Sequence, residues 1–357
     1  MSFLLVLLLL AMLVCAVYAV EPATDIDKVT VDKWSAPYRG WHYYPELVIS
    51  AEPNIPNHEA FRGTDVPTVF QIPGDKKWYM SFIGFNGKGY NSFVAVSDDL
   101  VHWREMRLAM GFGAENEFDH GGRVLGGYLF ASYDIKAPRT LAKRDGKYWS
   151  LYGAYPRQGG LELRPGYEGL ASSIDGLAWT RVGKDPIMSV HDKDCGEWER
   201  DCIYQPWLVA HEGKFYDFYN AANGPLEQSG IAVSRDLINW TRYTGNPVVR
   251  NRQGGYDESF CSDPKVFRDG DHWSMFYFGI GRGGGHIMVA FSRDLLHWTA
   301  DPEPLYKAGG HPGGLDRTYA HKMALVYNPA NATYYMFYCA TGDKGRGIGL
   351  ITSKPLK

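Results

Sequence analysis

Three residues stand out for chemistry: Asp65, Asp263 and His321. Each lies next to or near the start of a β-rich run, and two of them precede a proline, in Asp65-Val66-Pro67 and Asp263-Pro264. Glu258 lies shortly upstream of Asp263. Carboxyl groups whose environments push their pKa values apart can divide acid and base roles, and cleavage of a glycosidic bond needs two such groups flanking it. Aligning the run starts on Pro67, Pro138, Pro206 and Pro264 adds Arg139 and Gln205 to the set, with Asp201 just upstream and Trp207 beside it. Asp65, Asp263 and Glu258 are therefore the catalytic candidates, while spacing alone makes His321 a substrate contact or an axial structural residue. Arg139, Gln205, Trp207 and Asp201 are the candidates for binding substrate, and Trp198 offers a further aromatic face. Several carboxylates, an Arg, a His and many aromatics at one mouth suit a carbohydrate. A single Asp at a strand start more often serves as a turn or cap residue, and a Trp there can equally be packing.

What must bring these distant residues together is a repeat. Ser97-Asp98-Asp99-Leu100-Val101-His102-Trp103 recurs at Ser173–Trp179, Ser234–Trp240 and Ser292–Trp298, always with Asp two and Trp six positions after the Ser. The Ser173 copy carries Gly176 before its Leu177. The Trp residues are 76, 61 and 58 positions apart, a spacing that suits four-stranded propeller blades with long loops. Each copy follows an apolar run such as Phe93–Val96, an aromatic strand such as Trp78–Phe82, and a turn such as Arg144-Asp145-Gly146-Lys147. Asp-Gly between such runs marks a hairpin. A fifth unit, Ala324 to Ser353, ends near its Ser. The fold expected is all-β, a five-bladed β-propeller over residues 61–357. The Ser and Asp of the motif read as turn-forming, and its Trp as packing between blades.

Blade starts are expected at Gly63, near Lys136–Arg139, at Glu199, at Asp257 and at Asp316. Residues 20–60 lack the blade pattern. Trp41 to Ile49 could supply a strand that closes the ring on blade five, removing exposed edges, or the segment could pack on a second subunit. The Gly-rich insert around Asp119-His120 could fold over the mouth.

Residues 1–19 read as a secretory signal, apolar from Phe3 to Val14 and cut after Ala19. Export implies a secreted or periplasmic location and no membrane association after cleavage. The mature chain then keeps Cys195, Cys202, Cys261 and Cys339. An even number in an oxidising compartment suggests disulfides, with Cys195–Cys202 the easiest pair and Cys261 and Cys339 paired or free. Asn239 and Asn331 begin glycosylation sequons. A formal net charge of −3 with no basic run gives nucleic-acid binding nothing to rest on. No spacing resembles a zinc site. No cofactor is expected, although a central structural cation such as calcium would be compatible, and oligomeric state is left open.

At these residues the sequence resembles the five-bladed propeller glycosidases of glycoside hydrolase families 32 and 43. Ser262-Asp263-Pro264-Lys265-Val266-Phe267 looks like their Asp-Pro-Lys-Val-Phe segment, and Asp65 looks like their first-blade nucleophile or base. Those families place an Asp-Pro on blade three and a Glu acid on blade four; here blade three reads Gln205-Pro206 and the Asp-Pro sits on blade four, so their general acid has no evident counterpart. Gly309 to Lys322 is similar to the final-blade segment of family 117, the neoagarooligosaccharide hydrolases. That resemblance implies His321 as acid, Asp65 as base and Asp263 in support, acting on an algal or plant cell-wall glycan. The rival expectation is a propeller that binds carbohydrate without cleaving it. A six-bladed sialidase is disfavoured by the five units.

Overall fold

The aromatic and β-branched runs form antiparallel strands in sets of up to four, and the sets follow one another around an axis. The computed structural model describes residues 25–356; the expected signal segment, with Cys15, lies outside them. Blade one runs Thr64–Phe70, Trp78–Phe85, Tyr90–Ser97 and Arg104–Met110. Blade two runs Gly122–Tyr128, Lys147–Tyr155, Tyr167–Ser173 and Thr180–Val182. Blade three begins at Cys202–His211, blade four at Phe260–Asp269 and blade five at Tyr319–Asn328. The protein is a five-bladed β-propeller. Single parallel bridges stitch the third strand of one blade to the inner strand of the next, at Tyr90–Gly122, Glu227–Phe260 and Gly285–Tyr319. Blade five takes its fourth strand from the N-terminal part of the sequence: His42–Tyr43 pairs antiparallel with Ile351 and Thr352. The preceding helix Lys28–Ser35 is capped by the Asp27 carboxylate. It packs on the protein's own blades at the end away from the mouth, with Trp34 stacked 3.8 Å from the His272 ring.

The repeated motif is structural. Ser97, Ser173, Ser234 and Ser292 each hydrogen-bond the Asp two positions on, and each Asp accepts two backbone amides. Leu100, Leu237 and Leu295 take φ near +70° there, and Gly176 occupies that place in the second copy with φ +80°. Gly176 is thus a replacement at a left-handed position, not an insertion, and it removes the strain a side chain carries at positive φ. The hairpin glycines behave alike: Asp145-Gly146 and Glu212-Gly213 both have φ above zero, as type I′ turns require.

A second repeat escapes inspection of the sequence. Tyr152, Tyr219, Tyr277 and Tyr338 occupy one register, each opposite a residue four positions before the blade's motif Ser. Each donates its hydroxyl to a buried carboxylate that precedes the blade, respectively Asp119, Glu199, Asp257 and Asp316. Arg181, Arg242 and Arg252 hold the first three carboxylates from their other side. Blade one has Phe82 in that register and no such carboxylate. Asp119 and Glu199 are therefore framework groups.

Two expectations are corrected. Blade two starts at Gly122, inside the Gly-rich insert, because its inner strand carries Gly126-Gly127 where blades one, three and four carry proline. Pro138-Arg139 belongs to a loop at the opposite end of the axis, bridged to Gln71 and Arg268. None of the four described cysteines is paired. Cys202 opens an inner strand against Gly166, where a Cβ would come within 2.4 Å of its sulfur. Cys261 faces Asp257 O in blade four, and Cys339 faces Thr64 O across the blade five–blade one contact.

Candidate active site

Every inner strand breaks register at the same height, between Asp65 and Thr68, Leu125 and Gly127, Tyr204 and Trp207, Ser262 and Lys265, and His321 and Ala324. Bulges bend strands and re-aim side chains. The residue inside the bulge has positive φ in four blades: Val66 51°, Gln205 58°, Asp263 54° and Lys322 49°. Non-glycine residues seldom adopt this conformation, and a β-branched one such as Val66 less still. It persists where surrounding structure over-determines it, often at functional sites. Proline follows in three of the four, consistent with its tolerance at bulges.

The bulges separate the sequence candidates into two rings. Asp65 and His321 share the register of Tyr204 and Ser262, whereas Gln205 and Asp263 share that of Val66 and Lys322. A third ring comes from the starts of the third strands: Tyr90, Gly166, Glu227, Gly285 and Arg346, each seven positions before Ser97, Ser173, Ser234, Ser292 and Ser353. Tyr90, Glu227 and Arg346 join His321, Lys322, Tyr204, Thr341 and Tyr319 in lining a cavity of about 210 Å³. Phe260, Phe278 and Ile280 form one wall, and Leu161 and Glu162 enter from the loop between blade two's second and third strands. Asp65 lies in a smaller recess sharing Tyr90, Leu161 and Arg346.

Electrostatics distinguish the carboxyls. Asp65 is 3 % exposed. Its Oδ1 accepts the Val66 amide at 2.8 Å, and its Oδ2 takes Lys322 Nζ at 3.0 Å and an Arg346 N–H. Burial alone would raise its pKa, but the Arg346 guanidinium and the Lys322 ammonium hold it well below the usual carboxylate range. So firmly ionised a group is a weak proton acceptor. Glu227 is in the opposite condition. It is 5 % exposed, and its Oε2 takes the Ser262 hydroxyl at 2.6 Å. Burial, and then the negative charge of Glu162, push it up to about 7, against the Ser262 hydrogen bond. Glu162, about a third exposed, places Oε1 3.4 Å from Lys322 Nζ.

His321 donates from Nδ1 to the Cys339 carbonyl at 3.1 Å, which leaves Nε2 as an acceptor. Burial drives its pKa down to about 3, and the neighbouring Asp65 does not offset this. At neutral pH the ring is uncharged and has no spare proton, so it suits a sugar hydroxyl rather than the role of acid.

The other candidates sit elsewhere. Asp263 pairs with Lys265 at 2.7 Å beneath the cavity, fully buried, its pKa pushed up by burial against the pull of Lys265. Gln205 is buried in the bulge register and does not line the cavity. Trp207 is 4 % exposed; it donates to Val266 O at 3.0 Å and packs on Phe267, between blades three and four. Trp198 stacks on Tyr219. Arg139 is buried at the far end of the axis, over the Phe267 ring and bonded to Asp134 O and Ile135 O. Asp201 pairs with Arg164 at 2.9 Å on the exposed rim. Glu258 is exposed and away from the cavity. Asp65, His321 and Cys339 converge within 4.8 Å, but two cations already occupy the Asp65 carboxylate, so the set does not fit a metal ion.

Inspection of inner-strand starts misses Glu227, Arg346 and Tyr90 because they begin third strands. The signal is present: each sits at a fixed distance before a motif Ser. Glu162 lies in a loop outside the repeat and leaves no such signal.

The model of the glycosyl hydrolases family 32 N-terminal domain matches residues 89–316. Levanase from Bacillus subtilis (strain 168) is 26 % identical over 213 residues, 56 % of this chain and 29 % of levanase. β-1,2-Mannobiose phosphorylase from Thermoanaerobacter sp. (strain X514) is 25 % identical over 176 residues, 44 % of this chain and 53 % of the phosphorylase. The matches thus span between under a third and about half of the length of these curated relatives. Among solved structures, a "Glycoside hydrolase" superposes with a TM-score of 0.78 at 26 % identity, covering 93 % of this protein and 96 % of that one. A complex of BT0996 with RGII also gives 0.78, at 29 % identity, covering 92 % and 97 %.

Proposed function

This protein belongs to the family of the glycosyl hydrolases family 32 N-terminal domain, and from that premise we propose that it hydrolyses a glycosidic bond at the end of a plant cell-wall oligosaccharide, with Glu227 as proton donor and Glu162 as the second carboxyl group of the pair. One observation carries the reading: a buried carboxyl raised to about 7 lines the same cavity as a second, partly exposed carboxyl. Glycosidic bond cleavage uses two carboxyl groups flanking the bond, and Glu227 is the one of this pair that burial keeps protonated. The cavity volume falls below the roughly 300–1,000 Å³ of drug-sized ligand pockets, which favours one terminal sugar ring. Phe260, Phe278 and Ile280 supply its apolar wall, and His321 Nε2 accepts from a hydroxyl. Asp65 does not exchange protons; it fixes Lys322 and Arg346. The likeness to the RGII complex supports an RGII-type substrate, and residues 1–19 support export to the periplasm or medium.

Phosphorolysis, with inorganic phosphate in place of water, is favoured by the mannobiose phosphorylase relative and by two cations at the mouth. Hydrolysis is preferred because both cations already hold Asp65. The test is release of a terminal sugar from a panel of plant and algal oligosaccharides, RGII fragments and agar-derived ones included, with and without phosphate. Phosphate-independent release that Glu227→Gln and Glu162→Gln each abolish supports the reading. Binding without release would establish a carbohydrate-binding propeller instead.

A further inference from the structure

The recess beside the cavity has no part in the acid–base reading. It measures about 140 Å³ against about 210 Å³ for the cavity, and the two share three walls: Tyr90, Leu161 and Arg346. Two of these walls are fixed by the blades. Tyr90 is buried at the start of blade one's third strand, and Arg346 is tied to Asp65. Leu161 comes instead from the blade-two loop and is half-exposed. That loop is fastened at both shoulders to other blades. The Gly159 amide donates to Lys88 O at 2.7 Å, and Arg164 Nη1 donates to Asp201 Oδ2 at 2.9 Å and to Gly224 O at 3.1 Å. Leu161 projects between these fastenings as the partition between cavity and recess.

Ile83, Phe85, Tyr90 and Leu161 give the recess an apolar lining, with the Phe85 and Tyr90 ring centroids 5.5 Å apart. Its charged groups offer little to an ion. Asp65 already takes Arg346 and Lys322. Arg62 is exposed, where an ion pair contributes little. We propose that the recess is a substituent subsite: it receives a small apolar group, an O-methyl or O-acetyl, carried by the sugar ring in the cavity, and Leu161 and Phe85 set that preference. The proposal rests on the cavity's holding a terminal sugar. Continuity decides the occupant, because a group on the ring carbon that faces the shared walls passes directly from cavity to recess. The recess is several times the roughly 30 Å³ of a water molecule and smaller than the cavity, so it has room for a substituent and not for a second ring. An unsubstituted sugar leaves its apolar walls facing water, and a methyl group covers them.

The test uses methyl glycosides of the common plant sugars and their mono-O-methyl, mono-O-acetyl and mono-O-carboxymethyl derivatives. Dissociation constants are measured by calorimetry on the full chain. For the parent sugar that binds, substitution at one hydroxyl with methyl or acetyl is expected to tighten binding about fourfold to tenfold, the gain from burying one methyl group. The larger of those two gains identifies the natural substituent. In Phe85→Ala and in Leu161→Ala the ratio of substituted to parent affinity is expected to fall by about threefold or more. Both side chains reach solvent, and circular dichroism checks the fold. A larger gain for the carboxymethyl group overturns the inference, as do weaker binding of every substituted sugar, a ratio that neither variant moves, and a complete absence of binding. The acid–base reading fails separately. These constants need no turnover, so the methyl preference can hold in a protein that cleaves nothing. Conversely, release of unsubstituted sugars alone, lost in Glu227→Gln, keeps that reading and removes the substituent subsite.

Discussion

Replacing Glu227 with Gln should stabilise the protein above neutral pH while removing its activity. Glu227 titrates at about 7 in the fold against an ordinary 4.5. At roughly 1.4 kcal/mol per pH unit, the difference corresponds to about 3 kcal/mol. The sign follows from proton binding: between those two values the folded state holds a proton that the unfolded chain has lost, so stability falls as pH rises. The fold has its full share of this stability below about pH 4.5 and has lost it above about pH 7. Gln is uncharged throughout and its amide oxygen can still accept from Ser262. The variant should therefore match the wild type at pH 4.5 and gain up to about 3 kcal/mol by pH 8.5. Urea unfolding at pH 4.5, 6 and 8.5, with m-values compared, measures the gain directly. Over the same range kcat/KM should drop by roughly 10²–10⁴. A stability difference that does not grow with pH, or one that grows in the opposite direction, would refute the claim that burial holds this carboxyl in its neutral form.

Other consequences separate framework from site. Tyr277→Phe leaves the buried Asp257 with one partner fewer and should cost about 1–3 kcal/mol, seen as a lower melting temperature with KM unchanged. Trp207→Ala should cost about 3–5 kcal/mol without altering the substrate's KM, because the indole packs between blades and does not meet the cavity. Incubation with dithiothreitol should leave the melting temperature where it is, since Cys195, Cys202, Cys261 and Cys339 are all unpaired. His321→Gln should raise KM yet leave both limbs of the pH profile in place, because a neutral imidazole contributes no titration near neutrality.

The propeller is legible in the sequence because its signals are local and repeated. Ser-x-Asp and the Trp four positions after that Asp fix a turn through hydrogen bonds within seven residues, so each blade announces itself. Blade two's start is misread because proline marks the bulge in three blades but Gly126-Gly127 marks it there, and Pro138 offers a false match. The site is only half legible. Asp65 and His321 do lie at the mouth, but their roles depend on neighbours distant in sequence. Arg346 lies 281 positions from the Asp65 it neutralises. Glu227 owes its raised pKa to burial beside the next blade's inner strand, which residue type alone does not disclose. Fixing the register of the third strands to the motif Ser finds Glu227 and Arg346; nothing comparable finds Glu162.

The most direct test of the account compares two substrates with the Glu227→Gln variant: a natural oligosaccharide and a dinitrophenyl glycoside of the same terminal sugar. The oligosaccharide's leaving group needs a proton, and the dinitrophenolate does not. The account predicts a loss of kcat/KM of roughly 10²–10⁴ on the oligosaccharide and less than about tenfold on the dinitrophenyl glycoside. Equal losses on both substrates, or none on either, would contradict the assignment of Glu227 as the proton donor.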